Sequence, residues 1–201
     1  MCFRLKSFIC LSLLAVLYVS GCQTPPPFKP VVTPAKPPAI KKELPDGIKQ
    51  LDRYPVRDWK YIVIHHSATE SGNACVFDKD HREKRGWENG LGYHFVIGNG
   101  RGSGDGQIEI GNRWIKQIDG AHAHVHEYNH FGVGICLVGN FDITSPTANQ
   151  MTSLTALVAY LRNRCRIPSG KVIPHKDVRE TVCPGKNFPY HKLRGQIARY
   201  P

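Results

Sequence analysis

The sequence predicts an α/β fold in which a central mixed β-sheet is flanked by helices on both faces of a single domain. Residues 61–66 begin with four β-branched or aromatic side chains, and residues 133–138 are apolar almost throughout, as expected of buried strands. Residues 148–164 carry leucine and valine at helical spacing. Strands that alternate with helices in this way favour a sheet that is covered on both sides.

The segment between the two central strands predicts one helix and two further strands. Residues 75–84 have the composition of a helix, which stops at Gly86 because glycine is common just after helix ends. Residues 93–97 predict the second strand. Residues 107–110 predict the third strand, since they follow the turn-forming pair at 105–106.

The long helix at 148–164 has a recognisable start. Thr147 and Gln150 match a capping box, in which the two side chains satisfy amide groups of the first turn. After this helix, residues 171–173 predict a short last strand. That strand would place His175 at its C-terminal end.

Two histidines are expected to converge at one edge of the predicted sheet. His65 and His66 end the first strand, and strand alternation places them on opposite faces, so they cannot easily bind the same metal ion. His175 follows the last strand. Functional sites in such sheets gather where strands end and loops begin, which gives His65 and His175 a common location.

Cys183 completes a candidate set of three zinc ligands with His65 and His175. Two imidazoles and a thiolate suit Zn²⁺, and three protein ligands leave one coordination position free, as in catalytic sites. His175 and Cys183 lie eight positions apart, which matches no common zinc-finger spacing, so this pair alone is a weak signal. A structural zinc domain with a closed four-ligand site is the alternative.

Six sequence blocks strengthen this interpretation because they occur in one order. They are residues 61–69 (YIVIHHSAT), 92–95 (GYHF), 105–108 (DGQI), 120–122 (GAH), 132–141 (GVGICLVGNF) and 175–185 (HKDVRETVCPG). Together they resemble the N-acetylmuramoyl-L-alanine amidases of the type shared by phage zinc amidases and peptidoglycan recognition proteins. The resemblance covers roughly residues 58–190, most of the predicted domain.

The resemblance implies a zinc ion held by His65, His175 and Cys183. It also implies Tyr93 and Thr181 as catalytic residues beside the metal, and His122 as a substrate-binding residue in the cleft. The implied activity is hydrolysis of the amide bond between N-acetylmuramic acid and L-alanine in peptidoglycan or muropeptides. Phage relatives often carry lysine where Thr181 stands, whereas amidases among the recognition proteins tend to carry threonine.

Amide hydrolysis explains why these residue types would be needed. Zinc lowers the pKa of bound water from about 15.7 to about 7 and polarises the carbonyl group. The hydroxyls of Tyr93 and Thr181 are suitable donors to the oxyanion that forms. Metal-bound water, acting through Tyr93 or His122, is the expected proton source for the leaving amine. Alternatively, Tyr93 is only a core aromatic with a satisfied hydroxyl.

A peptidoglycan-binding module without catalysis is the main alternative function. Relatives that only bind typically lack the cysteine ligand, so the presence of Cys183 favours an enzyme. The chain is basic, with a formal net charge of +11, but it shows no basic helix or basic-aromatic ladder that would indicate nucleic-acid binding. An anionic wall polymer or a carboxylate-bearing substrate is the better match for an exported basic domain. A monomer is expected.

The N-terminus predicts export and lipid anchoring. Residues 1–21 have a basic start, an apolar stretch and small residues before Cys22, which is the architecture of a signal peptide. The ending resembles a bacterial lipobox and implies lipidation of Cys22; an ordinary signal peptide is the alternative. Residues 22–45 predict a proline-rich disordered tether, and residues 46–201 the zinc amidase domain. The expected location is the cell envelope, facing the periplasm from the outer membrane in a Gram-negative host.

Other histidines and cysteines leave alternatives open. His81, His130 and His191 are interpreted as surface or loop residues, and the alternating residues His122, His124 and His126 allow a second metal site or solvated loop positions. An extracytoplasmic location permits a disulfide. At most one pair can form among Cys75, Cys136 and Cys165; Cys136 and Cys165 are interpreted as buried free thiols, and a bridge between them is the alternative.

Overall fold

The computed structural model of the chain describes residues 46–199, which belong to one unit. The predicted signal peptide at 1–21, the lipidation site Cys22 and the tether at 22–45 lie outside these residues. Within 46–199, no helix combines the length and the apolar character that crossing a membrane requires.

The sheet has five strands in the spatial order β3–β2–β4–β1–β5. They are β1 (Tyr61–His66), β2 (Phe95–Ile97), β3 (Ile108–Ile110), β4 (Gly132–Leu137) and β5 (Val172–Pro174). β1 pairs in parallel with both β4 and β5, β2 pairs in parallel with β4, and β3 runs antiparallel to β2 at one edge. The mixed sheet predicted from the sequence is therefore confirmed.

Six α-helices accompany the sheet in the described residues. They are α1 (Asp46–Lys49), α2 (Ala74–Arg85), α3 (Asn112–Lys116), α4 (His126–His130), α5 (Ala148–Cys165) and α6 (Tyr190–Ile197), with short 3₁₀ turns at Leu51–Arg53, Ser169–Lys171 and His175–Asp177. The two helices predicted from the sequence, α2 and α5, begin and end within one residue of the expected positions. The four others were not predicted.

One face of the sheet packs on α5 and α6 through a large apolar cluster. Ile62 and Ile64 of β1 share this cluster with Leu154, Leu157 and other residues of α5, all of them shielded from solvent. The predicted capping box begins α5. Gln150 then donates from Nε2 to the carbonyl oxygens of Ile97 and Val138, which ties the helix to the sheet.

The opposite face carries α2 and a much smaller apolar cluster. Phe77 of α2 packs there with Leu91, Val96 and Val138. α2 begins at the cap Asn73, whose side chain accepts from the amide of Val76, and ends at Gly86, whose φ of 66° is left-handed. Helices therefore flank both faces, and the second face leaves space beside α2.

Candidate metal centre

β1 and β5 bring His65 and His175 together because the two strands are parallel neighbours. Ile64 pairs with Pro174 in the sheet, so the next residue of each strand, His65 and His175, lies at the same edge. Their ring centroids are 4.3 Å apart and both side chains are buried. The structure therefore gives the two histidines the common location that their positions at strand ends predict.

Cys183 reaches the same point from the loop that follows His175. Its Sγ lies 3.8 Å from Nδ1 of His65, and one ligand atom from each of His65, His175 and Cys183 falls within 4.8 Å of the others. The amide of Lys176 donates to the carbonyl oxygen of Cys183, which closes the loop. The loop also passes close to the backbone of Phe141, since a Cβ at Gly185 would lie 2.4 Å from the carbonyl carbon of Phe141.

Three donors in this arrangement fit a metal ion. Nε2 of His175 is buried and has no hydrogen-bond partner among the described residues, and a buried nitrogen left unpaired in this way is costly. Burial lowers the pKa of His175 to about 4 and that of His65 well below its usual range, so both imidazoles are neutral, as metal ligation requires. Burial raises the pKa of the Cys183 thiol to about 12, whereas a bound cation would favour the thiolate.

His66 contributes its backbone rather than its ring. The amide of His66 donates to Sγ of Cys183 over 3.4 Å. Its ring nitrogen Nδ1 accepts from the amide of Phe141 at 3.1 Å, so the imidazole is held away from the three donors. This arrangement agrees with the strand alternation that separated His65 from His66.

Tyr93 and Thr181 line the same cavity of about 300 Å³ as the three donors. The ring of Tyr93 lies 5.2 Å from that of His65. Burial, followed by the nearby Cys136 thiol, raises the pKa of Tyr93 well above its usual range, so the hydroxyl keeps its proton. Thr181 Oγ1 accepts from the amide of Cys183 at 3.3 Å, which leaves its own proton available for a substrate. Both side chains can act as hydrogen-bond donors in the cavity.

His122 also lines this cavity, but both of its ring nitrogens contact protein atoms. Nδ1 lies 3.1 Å from Nε2 of His65, and Nε2 lies 3.1 Å from the carbonyl oxygen of Gly132. Burial lowers the pKa of His122 to about 3, so the ring is neutral. The structure therefore places this residue directly behind His65.

The cavity includes residues of α2 that the sequence did not single out, namely His81 and Arg85. His81 is half-buried on the helix, and its Nδ1 accepts from the amide of Gly92, so its interpretation as a simple surface or loop residue was wrong. Its pKa is lowered by burial and then by Arg85. The spacing of four residues, which puts both side chains on one helix face, could have identified the pair.

The described residues also answer two questions that the sequence left open, a second metal site and a disulfide. The only group of three or more ligating side chains placed to share an ion is His65, His175 and Cys183, so the alternating histidines of the 122–126 segment form no second site there. All four cysteines between residues 46 and 199 are free, and the candidate Cys136–Cys165 bridge does not form.

Known proteins share both the sequence pattern and the fold. The family described as N-acetylmuramoyl-L-alanine amidase matches residues 55–186. Peptidoglycan-recognition protein SC2 of Drosophila melanogaster is 33% identical over 137 residues, which are 64% of this chain and 69% of the relative. The amidase LysC from Clostridium intestinale has a TM-score of 0.62 and 37% identity, over 70% of this chain and 86% of LysC.

A second similar structure contains a bound ligand. Peptidoglycan recognition protein LE, in complex with tracheal cytotoxin, a monomeric diaminopimelic acid-type peptidoglycan, has a TM-score of 0.56 and 29% identity, over 70% of this chain and 82% of that protein. The family match spans most of the described residues and includes the three candidate ligands, the two hydroxyl residues and His122. This chain therefore belongs to the N-acetylmuramoyl-L-alanine amidase family.

Proposed function

We propose that this protein is a zinc-dependent hydrolase that cleaves the amide bond between N-acetylmuramic acid and L-alanine. The observation that carries the proposal is the unpaired Nε2 of buried His175, which shares a 300 Å³ cavity with His65, Cys183 and two hydroxyl groups. The similarity to the amidase LysC supports the same reaction.

The chain's own residues would bind and orient the substrate around the metal. A zinc ion held by His65, His175 and Cys183 would supply a water nucleophile at neutral pH and polarise the scissile carbonyl group. Tyr93 and Thr181 would each donate a hydrogen bond to the oxyanion that develops on the carbonyl oxygen. Such a donor is typically worth about a hundredfold to a thousandfold in rate.

The leaving amine needs a proton, and Tyr93 is the favoured relay. Its hydroxyl keeps its proton because burial raises its pKa well above the usual range. Both ring nitrogens of His122, the other candidate, already contact protein atoms at 3.1 Å. The Tyr93 hydroxyl is hydrogen-bonded to the Cys136 thiol rather than to a metal ligand, so a proton passed to the amine through Tyr93 would leave the bond between His122 and His65 intact.

The proposed substrate is peptidoglycan or a muropeptide, reached from a lipid anchor at Cys22 in the cell envelope. The complex of recognition protein LE with a monomeric peptidoglycan supports this substrate class. In a Gram-negative host, we propose that a monomer faces the periplasm from the outer membrane, and the tether at 22–45 would give it reach. The envelope location rests on the N-terminal sequence alone.

Recognition without catalysis is the second candidate, because relatives such as recognition protein SC2 are named for binding peptidoglycan. Incubation of the purified protein with peptidoglycan separates the two candidates. We expect stem peptides to be released, release to stop when zinc is chelated, and release to return when zinc is restored. Binding of the wall without zinc-dependent release would support the recognition module instead.

A further inference from the structure

We infer that His122 is a positioning residue that fixes the tautomer of His65, so that Nδ1 of His65 presents its lone pair to the metal. The inference rests on the proposed zinc site. It assigns His122 a role behind the metal ligand, in place of the substrate-binding role expected from the sequence.

The chain of hydrogen bonds starts at the carbonyl oxygen of Gly132, the first residue of β4. A carbonyl oxygen only accepts, so Nε2 of His122, which lies 3.1 Å away, must carry a proton. A doubly protonated imidazolium would place an uncompensated charge in a buried position, which is costly. Nδ1 of His122 is therefore a bare acceptor.

His65 completes the chain. Its Nε2 lies 3.1 Å from the bare Nδ1 of His122, so it must donate the hydrogen of that bond. The remaining nitrogen, Nδ1, then has its lone pair free and faces Sγ of Cys183 at 3.8 Å. One backbone oxygen thus selects the tautomers of two histidines, the second of which is a ligand. Hydrogen bonds of this kind orient metal-bound histidines and raise their basicity.

The surroundings of His122 allow one ring position. A Cβ at Gly134 would lie 2.4 Å from Cδ2 of His122, and a Cβ at Gly120 would lie 2.3 Å from the same atom, so two glycines form the slot for the imidazole. Oδ1 of Asn129 accepts from the amides of His122 and Ala123, which fixes the backbone. The ring therefore has little freedom to turn away from His65.

Two variants of similar shape separate the hydrogen bond from packing. His122→Asn keeps an oxygen acceptor near the position of Nδ1, whereas His122→Leu removes the acceptor. Two-bond proton–nitrogen NMR correlations of the metal-free protein, labelled with ¹⁵N-histidine, report the tautomer of His65. We expect the Nε2–H form in the parent and in His122→Asn, and a mixture in His122→Leu. A parent His65 in the Nδ1–H form, or an unchanged tautomer in His122→Leu, would overturn the inference.

Zinc affinity, measured by competition with a chelator, gives a second readout. His122→Leu should bind zinc about 10- to 100-fold more weakly, and His122→Asn should recover most of that loss. Gly134→Ala, which displaces the ring without removing it, should resemble His122→Leu. Equal affinities in all four proteins would overturn the inference. Failure of the parent to bind zinc would instead overturn the proposed function, while the NMR result would still decide the tautomer.

Discussion

The two faces of the sheet have opposite chemistry. The face toward α5 and α6 is filled by a large cluster of apolar side chains, whereas the face toward α2 holds a cluster of only four buried apolar residues. The second face also carries the buried rings of His65, His94 and His122. Since neighbouring residues of one strand point to opposite faces, the same strands build both. Residue alternation along shared strands, rather than a division into domains, thus separates the stabilising apolar core from the side chains of the candidate site.

The polar rings of the second face are accommodated through hydrogen bonds to the backbone or to neighbouring side chains. Nδ1 of His94 accepts from the amide of Gly134 at 2.9 Å, and its Nε2 lies 3.2 Å from the carbonyl oxygen of Ile118. Nε2 of His122 bonds the carbonyl oxygen of Gly132, and its Nδ1 bonds Nε2 of His65. The exception is Nε2 of His175, the atom that the proposed metal would satisfy. Among these histidine rings of the second face, only His175 thus keeps a buried nitrogen without a hydrogen-bond partner.

Cys183→Ser should have the largest effect on activity. That effect should be confined to the site on the second face and should leave the apolar core unchanged. Loss of the thiolate ligand removes zinc, so the release of stem peptides should fall by at least about a thousandfold, more than the loss of one oxyanion donor costs. Activity and bound zinc are measured together. The control is Cys165→Ser at the end of α5, which should leave both unchanged; equal activity of Cys183→Ser and the parent would contradict the ligand assignment.

Tyr93→Phe should lower kcat by about a hundredfold to a thousandfold with little change in KM, because the donated hydrogen bond forms mainly in the transition state. Steady-state kinetics on a defined muropeptide provide the measurement. Tyr160→Phe is the matched control, since the Tyr160 hydroxyl donates to Asp52 rather than into the cavity. A kcat within threefold of the parent would assign Tyr93 a packing role only.

Leu157→Ala should lower the stability of the fold and leave catalysis unchanged. Leu157 is fully buried in the large cluster, so its truncation should lower the free energy of unfolding by about 2–5 kcal/mol. Urea titration measures this change, and KM and kcat should stay close to the parent values under conditions where the variant is folded. A comparable loss of kcat in the folded variant would mean that the two faces are coupled.

Acid should lower the free energy of unfolding of the metal-free protein because buried histidines of the second face resist protonation. His122 and His175 have pKa values of about 3 and about 4 when folded, against about 6.5 when unfolded, so the unfolded chain binds more protons between these values. The contribution of these two histidines to the free energy of unfolding is fully present above pH 6.5. It decreases as the pH is lowered, by about 1.4 kcal/mol per pH unit for each proton taken up on unfolding. Urea titrations from pH 7 to pH 4 should show a smaller fall in the free energy of unfolding for His122→Asn than for the parent.

Much of the fold was predictable because the central elements have long, regular patterns. β1, β4 and α5 carry runs of six residues or more, and their expected bounds match the structure closely. α1, α3 and α4 have four or five residues each, too few to show a helical period, and α6, with eight, is barely longer. Short helices of this kind are determined by tertiary packing rather than by local sequence.

The site was predictable only in part, because the distances within it depend on tertiary structure. Strand alternation separated His65 from His66, and strand ends indicated where His175 would lie, but the register between β1 and β5 sets their actual distance. The bond from His122 to Gly132 depends on how a loop folds against β4, which no spacing in the sequence encodes. Alternation of His122, His124 and His126 suggested a shared face, whereas in the structure His122 contacts His65 and His124 lines the same cavity, but neither joins the ligand cluster.

Mass spectrometry of one defined muropeptide, after incubation with the zinc-loaded protein, tests the central claim most directly. We predict two products, a stem peptide with a free amino group on L-alanine and a sugar that keeps its lactyl carboxylate. Neither product should appear with Cys183→Ser. Recovery of the intact muropeptide from the zinc-loaded parent, or cleavage at any other bond, would contradict the account.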